Sequence, residues 1–405
     1  MRDDAVKVMF VPRLDPVRCE MLGKCLVYHR SANSLSLGLF SPLGNYIPKN
    51  SLPTWLKFWG HPLADLISEH LEIDDDFEAV QELYLERGWT DGLPVVPPTP
   101  ERVAAMLAAT PLSPQDIIGE IPPIWGSATV EKLAVNAVMA GCRPEYLPVV
   151  IAAVEAMCDP VFNLYAIQAT THPCAPLIIV NGPICDDLGL HSGSGAYGPG
   201  WQANGTIGRA VRLVQLNVGG AHPGVGDMST QGAPSKYTFC VAENEEANPW
   251  EPLHIERGFR ADQSTVTVMA GESPHNINDH SGSTAEAILT IIAGAISITG
   301  ANNAYTGGET LLALGPEHAA TIAGDGFGKR EIREWLHQNA RIPLERYTHE
   351  TLIERFQRIP DAPVPMVVDP DLLMIIILGG PGKHSSWVPT FGGSTHSATR
   401  EIRRV

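Results

Sequence analysis

The chain has 405 residues, 44% of them hydrophobic and 18% charged, with a net charge of −17; this is globular composition and excludes an extended disordered chain. Lysine and arginine are scattered rather than clustered, so neither nucleic acid nor an anionic membrane surface is an expected partner. Seven cysteines, an odd count without a CxxC pair, are expected as reduced thiols of a cytoplasmic protein rather than as a disulfide framework or a zinc ribbon.

Residues 1–72 show neither helical nor strand periodicity for long and are expected to form an irregular N-terminal extension. The first residues are acidic where a secretory signal would be basic, so no leader is expected. Residues 73–405 are expected to form an α/β domain, with a candidate subdivision near 260. From Asp74, DDDFEAVQELYLERGW offers aspartates for an N-cap, Phe77, Val80 and Leu83 at helical spacing, and Gly88 as a stop. Thr99 and Pro100 open a helix to Ala109, and further helices are expected over Thr129 to Ala140 and Pro144 to Met157.

An apolar run, Leu177 to Val180, then leads through Gly182 to HSGS at 191–194 and a helix over Ile207 to Asn217. The same tetrapeptide returns at 280–283, again preceded by an apolar run, Val266 to Met269, and a glycine, Gly271. After helices near Pro316 to Ala323 and Lys329 to Gln338, a third run ends at Leu378; Gly380 takes the place of Gly271, His384 that of His275, and GGST that of SGST. The spacing predicts three related strand, loop and helix units whose loops share one sheet edge, where α/β proteins place ligands. The apolar runs Ala287 to Ala301 and Leu372 to Leu378 are both too short for a membrane span.

The loops carry the candidate chemistry. His191, His280 and His384 are candidate acid–base groups, and Ser192, Ser281 and Ser385 beside them are candidate substrate-binding groups. Lys383 follows GGPG, a turn too small to fill space, and is the candidate anion-binding cation together with Arg209. The turn is not a Walker loop, because Lys383 is followed by His384 and Ile377 stands at the first glycine position. His275, Asp279 and His280 combine imidazole and carboxylate ligands that suit a divalent metal, the one cofactor the sequence suggests. His172 and Cys174, two apart before a strand, are a candidate base and nucleophile, against the plainer reading of a buried structural thiol. FCVAENEEANPWEPLHIERGF gathers Glu243, Glu245, His254 and further charges, mostly expected as solvated loop groups.

LERGWTDGLPVVPPTPERV, KLAVNAVMAGCRPEYLPVV, ATTHPCAPLIIVNGP and GGPGKHSSWVPTFGG resemble the long bacterial proteins grouped with the UGSC family of (seleno)proteins, from about Glu78 to the end. That resemblance implies thiol or selenol redox chemistry, but the Cys-Gly-Ser-Cys type quartet is absent, so the similarity is to the companion region. The residues together point to a cytosolic enzyme, a hydrolase or lyase, acting on a small polar or anionic organic molecule. The alternatives are a thiol-dependent redox partner of a separate UGSC-type protein and a non-catalytic ligand-binding subunit. A homo-oligomer is compatible with all three.

Overall fold

The computed structural model describes residues 5–10, 66, 68–74 and 76–404, the first six as backbone. Two short antiparallel pairs lie early in the chain: β1 (Ala5–Phe10) with β2 (Glu69–Asp74), and β3 (Ile117–Ile121) with β4 (Gly126–Thr129). The remainder of the 1–72 stretch lies outside the described residues. Because β2 runs across position 72, a boundary there would cut a strand, and the expected irregular extension contains at least β1 and most of β2.

Two four-stranded sheets form the body. The first, ordered β14-β7-β5-β6, combines β5 (Ala175–Asn181), β6 (Cys240–Ala242), β7 (Thr265–Gly271) and β14 (Ala398–Glu401). The second, ordered β12-β9-β13-β8, combines β8 (His275–Asn278), β9 (Thr310–Leu314), β12 (Leu373–Ile377) and β13 (His384–Val388). A two-residue pair, β10 (Arg341–Ile342) with β11 (Val364–Pro365), lies outside both. The chain passes from the first sheet to the second between Gly271 and His275 and returns only with β14.

Strand alternation explains the layering. In β5, Ala175, Leu177 and Ile179 join Met269, Leu311, Ala313, Met374 and Ile376 in one buried cluster between the sheets. Ile178 and Val180 face the other way, into a core with the helices Val130–Ala140, Leu147–Met157 and Gln202–Asn217. Leu312, Leu314, Ile375 and Trp387 face a third core, with the helices Ala285–Ile296, Pro316–Gly324 and Lys329–Asn339. The result is helix, sheet, sheet, helix, with both faces of each central strand buried; this is why these strands read as continuous apolar runs. Among the described residues no single helix is long and apolar enough to cross a membrane.

The caps fall where the sequence puts them. Asp76 accepts from the Ala79 amide, Gly88 closes its helix at φ 61°, and Thr99 and Thr129 cap the next two. The helix expected from Ile207 instead begins at Gln202, because Gly205 and Gly208 are helical and not a break. A Cβ on Gly208 would lie 2.6 Å from the Phe239 amide nitrogen, so the glycine there serves close packing against the segment entering β6.

The three-unit repeat is not reproduced as expected. β5 and β7 are antiparallel, so Gly182 and Gly271 sit at opposite ends of the first sheet, and β12 belongs to the second. The third unit also lacks its helix: GGST leads into β14, whereas Thr284 of SGST caps Ala285–Ile296.

Candidate functional site

β8, β9 and β12 run in one direction, against β13, and β5 runs parallel to β6. The Asn244 amide donates to the Ile377 carbonyl at 2.8 Å, joining the end of β6 to the end of β12. The C-terminal ends of β5, β6, β8, β9 and β12 therefore share one edge of the sandwich, the edge at which open α/β sheets bind ligands.

At that edge the antiparallel register of β8 and β13 pairs Asn278 with His384 and brings His280, two residues on, beside it. Nε2 of His280 lies 3.3 Å from Nε2 of His384, with the rings at 80°. His384 Nδ1 lies 3.0 Å from Asn276 Oδ1, an acceptor, so Nδ1 carries a hydrogen, and in the neutral tautomer Nε2 keeps the lone pair. Both rings are exposed. Lys383 Nζ donates to the Gly282 carbonyl at 3.1 Å and reaches that of His280 at 3.5 Å. An ammonium has three protons, so one direction stays open to a ligand.

The first HSGS loop packs against the same turn. The Gly379 amide donates to the Ser192 carbonyl at 2.8 Å, and Gly380 lies so close to Ser194 that a Cβ there would overlap its Oγ. Tyr197 of this loop places its hydroxyl 3.1 Å from Ser386 Oγ. His191 itself is turned inward to its own loop: Nε2 donates to the Ser194 carbonyl at 2.8 Å and the ring stacks on Trp201 at 4.0 Å. The three loops thus meet, but only two of their histidines face each other. Ser192 and Ser281 take part through backbone groups, the Ser281 amide donating to Asp279 Oδ1 at 3.0 Å.

Ser385 points inward, which corrects its expected ligand-binding role. Alternation along β13 sends it and Trp387 toward the helices, while His384 and Ser386 share the other face. Its Oγ accepts from the Gly315 amide at 3.1 Å and donates to Nδ1 of the fully buried His318 at 2.8 Å. His318 Nε2 donates to the Asp279 carbonyl at 3.0 Å. One buried imidazole therefore ties the residue before His280 to the residue after His384.

The remaining candidates lie elsewhere. Arg209 forms a two-pronged pair with Asp91, at 2.9 and 2.8 Å, which occupies its guanidinium. His172 is bonded to Glu272 at 2.7 Å, whereas the nearest polar partner of the buried Cys174 thiol is the Ile167 carbonyl at 3.9 Å. Burial pushes that thiol up to about 12, away from the thiolate a nucleophile needs. His275 stands at the far end of β8, about 10 Å along the strand from Asn278 at the usual rise. Among the described residues no three His, Cys, Asp or Glu side chains are gathered to hold a metal, so the expected His275, Asp279 and His280 trio does not assemble.

Of the charges in FCVAENEEANPWEPLHIERGF, mostly expected as solvated loop groups, Glu243 and His254 are exceptions, 2% and 1% exposed. Glu243 accepts from Asn181 Nδ2 at 2.7 Å, the Leu253 amide at 2.8 Å and Asn248 Nδ2 at 2.9 Å, and burial raises its pKa. Burial lowers that of His254, whose two ring nitrogens have no hydrogen-bond partner. Nothing in the spacing of FCVAENEEANP marks this burial. Asn276 and Ser386 could have been found from the alternation of HNIN and HSSWV; Tyr197 and His318 carry no such signal. A concavity of about 570 Å³ opens beside the second loop, lined by Thr284, Glu286, Asp325, Phe327 and Trp335.

The fold and this edge define a layered α/β protein with a polar, histidine-bearing rim. No protein-family model matches the chain, and no curated protein matches it.

Proposed function

We propose that the protein is an enzyme that binds a small polar or anionic organic molecule over His280, His384 and Lys383, with hydrolysis or elimination as the reaction class. The observation that carries this is the meeting of two loops remote in sequence, which sets two exposed imidazoles 3.3 Å apart beside a lysine with an open donor direction. Lys383 holds the negative charge; the imidazole pair supplies the activating group; Asn276 and the buried His318 fix their orientation. The glycine turn at 379–382 and the Tyr197 hydroxyl bound the ligand's approach.

The thiol chemistry that the UGSC resemblance implies needs a thiolate, which burial disfavours at every described cysteine. Burial raises the thiol of Cys142 to about 12, of Cys158 to about 11 and of Cys174 to about 12, and it also raises those of Cys185 and Cys240. Unpaired thiols of this kind fit a reducing compartment such as the cytoplasm.

The test is calorimetric titration of chelator-treated protein with a panel of small carboxylates and phosphate, followed by hydrolase and lyase assays on the compounds that bind. A charge-assisted hydrogen bond contributes about 1.5–3 kcal/mol, so Lys383→Ala should weaken the best anion about 10- to 100-fold. His384→Ala should chiefly lower turnover. Equal anion binding by parent and Lys383→Ala would refute the proposal.

A further inference from the structure

The separation of the two imidazoles is informative in itself. At 3.3 Å one ring proton can bridge the two nitrogens as a hydrogen bond, and the same separation suits a shared ion in place of that proton. Two imidazole ligands about 2.0–2.1 Å from a tetrahedral ion stand about 3.3–3.4 Å apart. The contact joins Nε2 to Nε2, in each ring the nitrogen farther from its own backbone.

The surroundings complete the same picture. Metal-bound histidines donate their other N–H to an oxygen, which fixes the tautomer and the ring plane, and His384 does this to Asn276 Oδ1. The backbone on both sides is held: His318 bonds the Asp279 carbonyl and the Ser385 hydroxyl, and Asp279 Oδ1 accepts from the Ser281 and Gly282 amides at 3.0 and 2.9 Å. Two ligands on such a scaffold need little reorganisation to meet an ion.

We propose that His280 and His384 form a two-histidine site for a first-row divalent transition ion of the zinc class, oriented by Asn276 and open at its remaining positions. Imidazole ligands select this class over magnesium or calcium, which take oxygen. Without a third His, Cys, Asp or Glu ligand among the described residues, the ion keeps at least two positions for water and for the anion that Lys383 attracts. The site is close to the sequence-expected one, with His384 in place of His275 and Asp279. It deepens the proposed function, resting on it for the role of the open positions but not for metal binding itself.

The experiment uses the full chain without a polyhistidine tag, freed of metal by chelator, and titrates it with Co2+ alone, read by visible absorption and followed by displacement with Zn2+. One equivalent of Co2+ should give a ligand-field band that Zn2+ removes. His280→Ala and His384→Ala should each weaken binding at least tenfold, Asn276→Ala about 10-fold as removal of an orienting partner does, and His275→Ala not at all. Should an alanine variant fail to fold, judged by circular dichroism, the corresponding glutamine variant replaces it. No uptake by the parent in large molar excess of Co2+, or unchanged uptake in both His280 and His384 variants, would overturn the assignment. Because this titration contains no anion and the anion titration contains no metal, each reading can fail without the other.

Discussion

Arg209→Ala should destabilise the protein without touching ligand binding. The guanidinium bonds Asp91 through Nε and Nη2, and the Asp91 side chain is 3% exposed, so the variant strands a buried carboxylate. Breaking one partner of a buried pair costs about 3–5 kcal/mol. Asp91 keeps the Leu93 amide and the Thr90 hydroxyl, both at 3.2 Å, which places the expected loss near the lower end of that range, about 3 kcal/mol. The effect also carries a pH signature. Burial acts to raise the Asp91 carboxyl, and Arg209 with the Leu93 and Thr90 hydrogen bonds outweighs it, leaving the pKa below the usual value. A depressed folded pKa gives stability that is present above the unfolded value of about 3.9 and disappears as pH falls through the folded one. Urea unfolding at neutral pH and near pH 3, below the unfolded pKa, should therefore show a parent that weakens in acid and a variant whose deficit is largest at neutral pH. Replacing both partners, Arg209→Met with Asp91→Leu, should recover most of the loss, since a well-packed apolar pair substitutes for a buried ionic one. A stable Arg209→Ala that no longer binds anions would refute this reasoning and return Arg209 to the binding site.

Cys174 should resist iodoacetamide in the folded protein at neutral pH, because burial pushes its thiol up to about 12; peptide mapping by mass spectrometry checks this, and rapid labelling would contradict it. Gly380→Ala should cost about 1–3 kcal/mol by driving a methyl into Ser194, and should also weaken anion binding by parting the first loop from the third; thermal melts and the anion titration read the two effects. His254 is held neutral by burial, so the unfolded chain takes up its proton first and stability should fall as pH drops below about 6.5. His254→Leu should lack that part of the decline in melting temperature between pH 7 and pH 5.

The apolar strands, the caps at Asp76, Thr99 and Thr129, and the α/β class were legible because local periodicity and capping chemistry decide them. The meeting of the HSGS and GKHSS loops was legible in outcome but not in cause. The expectation rested on equivalent repeats, whereas the loops meet because β8 and β13 pair antiparallel at the same edge as the ends of β9 and β12. The helix start at Gln202 was missed because a glycine packed against another segment looks like a glycine in a turn. The roles of Arg209, Ser385, Glu243 and His254 were not legible for one reason: sequence names a polar side chain, and burial or a partner remote in the chain decides its role. The Asp91 to Arg209 pair spans 118 positions and the Ser385 to His318 pair 67.

The most direct test of the central claim is the imidazole proton spectrum of chelator-treated protein, with His280 and His384 assigned by asparagine variants and the best carboxylate from the binding panel added stepwise. Ring centroids 5.1 Å apart should give a cross-relaxation peak between the two Hε1 or Hδ2 protons, and both sets of signals should shift together as the anion saturates, in the parent but not in Lys383→Ala. Sharp signals for both histidines with no mutual peak and no response to saturating anion would contradict the account.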